Sequence, residues 1–112
     1  MAKVEIVRSL AREIEKRFKG EAREIVKLLR SLEENPHKGK LVGSVGGLVI
    51  KELKYKSFRF YFITEGNNLK VFSREELTNL LIKFVRMSNK KDQQKVIDQI
   101  KGILRALGDE GF

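Results

Sequence analysis

A chain of 112 residues with no cysteine and a net charge of +9 has room for one domain around one core, and needs no disulfide or metal to hold it. The missing thiols exclude disulfides, thiolate nucleophiles and cysteine metal ligands, and fit a reducing, cytoplasmic setting. No apolar run approaches ~20 residues, so no membrane span is expected, and the opening MAKVEIVRSLAREIEKRF has early glutamates and no signal-peptide apolar stretch.

KVEIV at 3–7 is short and β-branched and suits a first strand. Ser9 is placed to cap a helix starting at Leu10, whose apolar positions Leu10, Ile14 and Phe18 follow at helical spacing. Gly20 is placed to end it in a left-handed turn. A second helix is expected from about Glu21 to Leu32, with Ala22, Ile25, Val26, Leu29 and Leu32 as its apolar stripe. Glu24 with Lys27, and Glu21 with its basic neighbours, read as solvated pairs on the outer face. The two helices form a hairpin with one buried side. Pro36 stops the second, because the residue before a proline is pushed out of helical geometry. GKLVGSVGG then holds four glycines in nine residues. It lacks the GxxxxGK[ST] order of a phosphate cradle and no helix follows it, so it reads as a loop.

Residues 48–56 and 58–64 are two strand-like runs. Gly66 and Asn67 supply a turn, and LKVF at 69–72 is a third candidate strand. Alternation puts Phe58, Phe60 and Phe62 on one side, facing a core, and Arg59, Tyr61 and Ile63 on the other. Glu52, Lys54 and Lys56 share a side, and pairing as a hairpin lets Arg59 join the lysines. The helical hairpin is expected to cover one side of the sheet and leave the other open. Residues 73–87 admit two readings. Ser73 and Glu76 offer a capping box ahead of Leu77, Leu80, Leu81, Phe84 and Val85 at helical spacing, yet LLIKFV also suits a buried strand. Asn89 is placed to cap a last helix, with Val96, Ile100, Ile103, Leu104 and Leu107 as its stripe and Gly108 at its end. GDEGF is a frayed tail. The whole is an α+β fold: an N-terminal helical hairpin packed on a small, mainly antiparallel twisted sheet, with a C-terminal amphipathic helix.

Charge is not spread evenly. Residues 36–72 hold 7 basic and 2 acidic side chains, a net of +5, while the segments on either side carry +2 each. A concentrated excess of this kind draws polyanions, nucleic acid or an acidic protein. Cutting RNA without metal requires that the ribose 2′-oxygen lose a proton, the phosphorane be stabilised and the leaving 5′-oxygen gain a proton. His37 is the only histidine, in a loop beside Pro36, so a two-histidine mechanism is excluded. The acidic residues form no metal-binding pattern, so no metal cofactor is expected. Lysines and arginines remain. Lys54, Lys56, Arg59 and Arg86 can meet on the open sheet face, with Lys83 and Lys90 at its edge. A lysine crowded by cations has a lowered pKa and can take a proton.

Three stretches resemble the RelE/ParE toxin superfamily, most closely its phage-derived HigB-like branch. LLRSLEENPHKGKLVG looks like that group's second helix and the loop before its hairpin. LKYKSFRFYFI looks like its strand pair with an arginine flanked by aromatic residues. FVRMSNKKDQQKVIDQI looks like its basic strand end, polar turn and terminal helix. Together they span about residues 20–105 of a single domain over 1–112. The resemblance implies a metal-independent endoribonuclease of a toxin–antitoxin system that cuts messenger RNA on the ribosome and is held inactive by an acidic antitoxin. It assigns Arg59 and Arg86 to the scissile phosphate and Lys54 or Lys56 to the base. Lys51, Tyr61, Lys83, Lys90 and Lys91 are the RNA contacts around them, Tyr61 as a stacking platform. It also makes 80–86 a strand and 69–78 an insertion. The chain departs from the branch at Met87, where a second basic residue is usual, at Asp92, where a proline is usual, and in having no tyrosine after the final strand. These departures keep open a non-catalytic RNA-binding or protein-interaction relative.

Overall fold

The computed structural model of the chain describes residues 2–65 and 81–112. Its first strand, β1 (Lys3–Ile6), leads into α1 (Arg8–Arg17) and α2 (Ala22–Arg30), the latter tightening into a 3-10 turn at Ser31–Glu33. Next comes a meander of β2 (Lys40–Val45), β3 (Leu48–Tyr55) and β4 (Phe58–Glu65). Beyond residue 80 lie β5 (Leu81–Asn89), α3 (Gln93–Leu107) and a 3-10 turn at Gly108–Gly111. The five strands form one sheet in the order β1-β5-β4-β3-β2, antiparallel except where β1 runs parallel to β5.

The α+β class, the strand pair at 48–64 and the strand reading of 80–86 all agree with this architecture. The proposed turn at Gly66 and Asn67, the strand at 69–72 and the capping box at Ser73 and Glu76 fall outside the described residues. At the first helix the expected caps are not used. Val7 is its N-cap, in extended geometry, with no side-chain cap, and Ser9 sits exposed in the first turn. The helix ends at Phe18, and the described glycines with positive φ are Gly39, Gly46 and Gly108, not Gly20.

The glycine-rich segment is a strand rather than a loop. Residues 40–45 pair with β3 as the sheet's outer strand, and Gly46, at φ +59°, turns the chain back within two residues. Gly39, Gly46 and Gly47 around it, with Gly43 within it, hid a strand whose ladder comes from the backbone. Gly43 lies under the Lys101 side chain of α3: a Cβ there would come 2.7 Å from Lys101 Cε, and that flexible chain would have to shift.

The sheet has two faces, and both are covered. On the first, the α1–α2 pair buries Leu10, Ile14, Phe18, Ile25, Leu29 and Leu32 against Leu53, Phe60, Phe62 and Phe84. Phe18 meets Phe58 edge-on at 4.9 Å between centroids, and Phe62 packs against Phe84 at 4.9 Å. Each such aromatic side chain contributes about 1.5–3 kcal/mol on burial. The second face was expected to be open. Instead α3 crosses it, burying Ile97, Ile100 and Leu104, and Ile50, Tyr61 and Ile63 beneath are at most 2 % exposed. The α3 stripe is turned slightly from the expected one: Ile97 is inside, while Leu107 is 65 % exposed. Tyr61 and Ile63 already called for a cover on this side, as apolar residues on an amphipathic sheet do.

Candidate functional site

The β3–β4 hairpin turns at Lys56 and Ser57, Lys56 taking φ +53°, and this sets the register. Lys54 lies opposite Arg59, and Arg59 lies opposite Ser88 of β5. Tyr61 lies opposite Arg86. Lys54, Arg59, Ser88 and Arg86 therefore share the second face, with Arg86 a diagonal neighbour of Arg59. Lys90 and Lys91 follow just past the end of β5, exposed, in the turn before α3. There the Asn89 side-chain oxygen accepts the Asp92 N–H at 2.8 Å and ties the turn down, while the helix's own N-cap is Asp92, three residues after the expected one.

Arg59 is the unusual member. It is 6 % exposed. Its Nη1 donates to the Ser57 carbonyl at 3.0 Å, while its Nε is buried with no hydrogen-bond partner. None of the salt bridges among the described residues involves it. An unpaired buried donor costs about 1–3 kcal/mol. Beside it the Tyr61 hydroxyl and Ser88 Oγ are hydrogen-bonded at 2.7 Å, fully buried. Tyr61 is 0 % exposed, and burial pushes its hydroxyl pKa up, so it is a structural phenol and not the stacking platform expected of it.

Other candidates are placed elsewhere. Lys56 lies in the turn and is ion-paired with Glu21 at the start of α2, whose carboxylate also accepts the Tyr55 hydroxyl at 2.9 Å. The hydrogen bond to Glu21 raises the Lys56 pKa, the opposite of what a proton-accepting lysine needs. Glu21, read as a solvated helix residue, thus tethers the hairpin. Lys51 is on the first face, opposite Phe62, 6 % exposed, donating to the His37 carbonyl at 3.1 Å with its ammonium 5.9 Å from the Phe62 ring. Burial lowers its pKa. It braces the 34–38 loop from inside and does not face the site. Lys83 is four β4 residues along from Arg59, about 13 Å at strand rise, and donates to the Asp109 carbonyl. His37 is exposed in its loop, on the side of Lys51.

What remains together is a cationic cluster at the hairpin end: Lys54 exposed, Arg59 nearly buried beside it, Ser88 and Arg86 flanking, Lys90 and Lys91 beyond. Among the described residues no three His, Asp or Glu side chains gather as a metal-ion site, and none of the helices described is long and apolar enough to cross a membrane. Ser88 had no signal in the sequence; the register of β5 against β4 brings it in. Comparisons with family models, with curated proteins and with solved structures find no match for this chain.

Proposed function

We propose that this protein binds RNA along its basic hairpin end and cuts it without a metal ion, as a toxin-like endoribonuclease of RelE/HigB-like kind. The observation that carries the reading is the buried guanidinium of Arg59, with an orphaned Nε and no described carboxylate partner, in line with Lys54. A phosphodiester supplies the missing acceptor, and arginine's planar fork fits its oxygens. In this scheme Arg59 takes a non-bridging oxygen and gains most as charge builds on the phosphorane. Lys54 is the one lysine of the proposed pair left to receive the 2′-hydroxyl proton, since Lys56 is held by Glu21. Attack of the 2′-oxygen on phosphorus breaks the bond to the 5′-oxygen, which takes its proton from water, leaving a 2′,3′-cyclic phosphate and a 5′-hydroxyl end. A messenger on the ribosome is the proposed substrate, an acidic antitoxin the proposed protein partner and the cytoplasm the proposed setting.

The test is to incubate purified protein with ribosomes and messenger RNA and map the 5′ ends. New 5′-hydroxyl ends are expected with the wild type and none with Arg59→Ala, whose circular-dichroism spectrum should match. Equal cutting by that variant removes Arg59 from the chemistry. A second reading, a non-catalytic RNA-binding relative, is favoured by the tethered Lys56 and the buried Tyr61. Steeply salt-dependent binding without new ends supports it.

A further inference from the structure

Lys83 and Arg86 are three residues apart, and on an evenly pleated strand they point to opposite sides. A bulge in β5 cancels that. Arg86 lies opposite Tyr61 and Lys83 opposite Ile63, with the register shift between, so both stand on the second face. The turn Gly108–Gly111 and Phe112 fold back over this pair. The Arg86 guanidinium carbon is 4.9 Å from the centroid of the Phe112 ring, and Lys83 Nζ donates to the Asp109 carbonyl at 3.0 Å. Two glycines build this return. Gly108, at φ +65°, reverses the chain, and Gly111 packs so closely that a Cβ there would come 2.5 Å from Ile103 Cγ2. GDEGF is thus a seated segment, not a frayed end.

The chemistry of that seat is specific. A planar cation faces an aromatic ring, and an ammonium beside it takes a carbonyl oxygen. A nucleotide offers the same two features, a base with a π-face and an oxygen acceptor. We infer that Lys83 and Arg86 form a nucleotide subsite continuous with the Arg59 seat, and that residues 108–112 occupy it in the unbound protein, Phe112 standing where a base stacks. Arg86 then reads a base instead of gripping the scissile phosphate. The inference rests on RNA being the ligand. It makes binding a displacement, in which the chain's own aromatic residue competes with the incoming base.

Fluorescence anisotropy of a short labelled single-stranded RNA tests it. Phe112→Leu keeps an apolar side chain at the edge of the core but removes the ring from Arg86, and is expected to tighten binding about two- to fivefold. Adding Arg86→Ala should abolish that gain. Amide exchange at residues 108–112 should rise in the wild type when RNA is added, which reads displacement without any substitution. If the wild type binds RNA while Phe112→Leu binds no tighter and exchange at 108–112 is unmoved, the subsite is overturned and the Arg59 seat stands. A gain that survives Arg86→Ala also overturns it. If neither the wild type nor any variant binds RNA, the wider RNA reading fails and the subsite with it.

Discussion

Arg59 is 6 % exposed, with one carbonyl partner at Ser57 for Nη1 and a buried Nε that has none. Such a side chain should respond to a small anion before any RNA is considered. Inorganic phosphate at ten times its Kd is expected to stabilise the protein by about 1.4 kcal/mol, a rise in Tm of about 6 °C. Arg59→Met keeps the stem and removes the charge. Its Tm without phosphate should equal or exceed the wild type's, and phosphate should not move it; a wild-type Tm unmoved by phosphate argues against the seat. Glu21 and Lys56 make a second prediction, about pH. The Glu21 carboxyl is held below its usual pKa by the hydrogen bond from Lys56, so its stabilisation is present above about pH 4.3 and fades as pH falls through the lower folded value. The Lys56 pKa is raised by the same bond, so its share is present below about pH 10.4 and fades as pH rises beyond it. Glu21→Gln should remove both limbs from a plot of Tm against pH. Lys51 has the opposite sign: burial lowers its pKa, so the folded state binds fewer protons and gains stability as pH climbs toward about 10.4. Lys51→Met should abolish that gain while leaving RNA affinity unchanged. A clear loss of affinity would return Lys51 to the binding surface.

At the scale of elements, long periodic segments were legible and short irregular ones were not. Leu10, Ile14 and Phe18, or Ile25, Leu29 and Leu32, announce a helix face because burial repeats every three to four residues. The Phe58–Phe60–Phe62 alternation announces β4 for the same reason at period two. β2 was missed because its ladder uses backbone groups of Gly43 and Ser44 and buries little. The bulge in β5 was missed because it depends on the pairing of two strands and leaves no residue signature. The cover provided by α3 follows from a crossing direction that periodicity does not encode. Within the candidate site, the Lys54–Arg59 pairing was therefore readable from alternation, and the diversion of Lys56 to Glu21 was not, since 35 residues separate them. The glycines offer a test of this backbone-led architecture. Gly46 turns at φ +59° with open space around it, so Gly46→Ala meets only conformational strain, about 1–2 kcal/mol. Gly39 sits at φ +106°, and a Cβ there would lie 3.0 Å from Phe62 Cζ and 3.1 Å from the Glu52 carbonyl. Gly39→Ala adds crowding against a buried ring and fixed backbone, and urea unfolding should show it to be the more damaging of the two. Equal losses would mean that the 34–38 loop and Gly39 yield more freely than their contacts suggest.

For the molecule as a whole, net charge matters less than where the fold leaves it unpaired. Of the central lysines, Lys51 is inside and Lys56 is spent on Glu21, so the excess read from the sequence overstates what a polyanion can meet. Besides the ion-paired Lys56, the cations that reach solvent at the Arg59 side of the hairpin end include Lys54, with Lys90 and Lys91 just past β5, backed by the edge of Arg59. This predicts a definite electrostatic footprint. Single-stranded RNA that meets these four cations releases counterions from about four phosphates, so log K should fall against log salt with a slope of about −3. Lys54→Ala should lower the slope by about 0.7. Lys51→Met should leave it unchanged, because that ammonium donates to the His37 carbonyl on the other face. Lys56→Ala should change it little, since the same substitution releases the Glu21 carboxylate into the neighbourhood. Anisotropy titrations across a range of potassium chloride concentrations measure all four slopes. A wild-type slope shallower than about −1, or one reduced as much by Lys51→Met as by Lys54→Ala, is incompatible with a backbone-tracking surface at this end of the sheet.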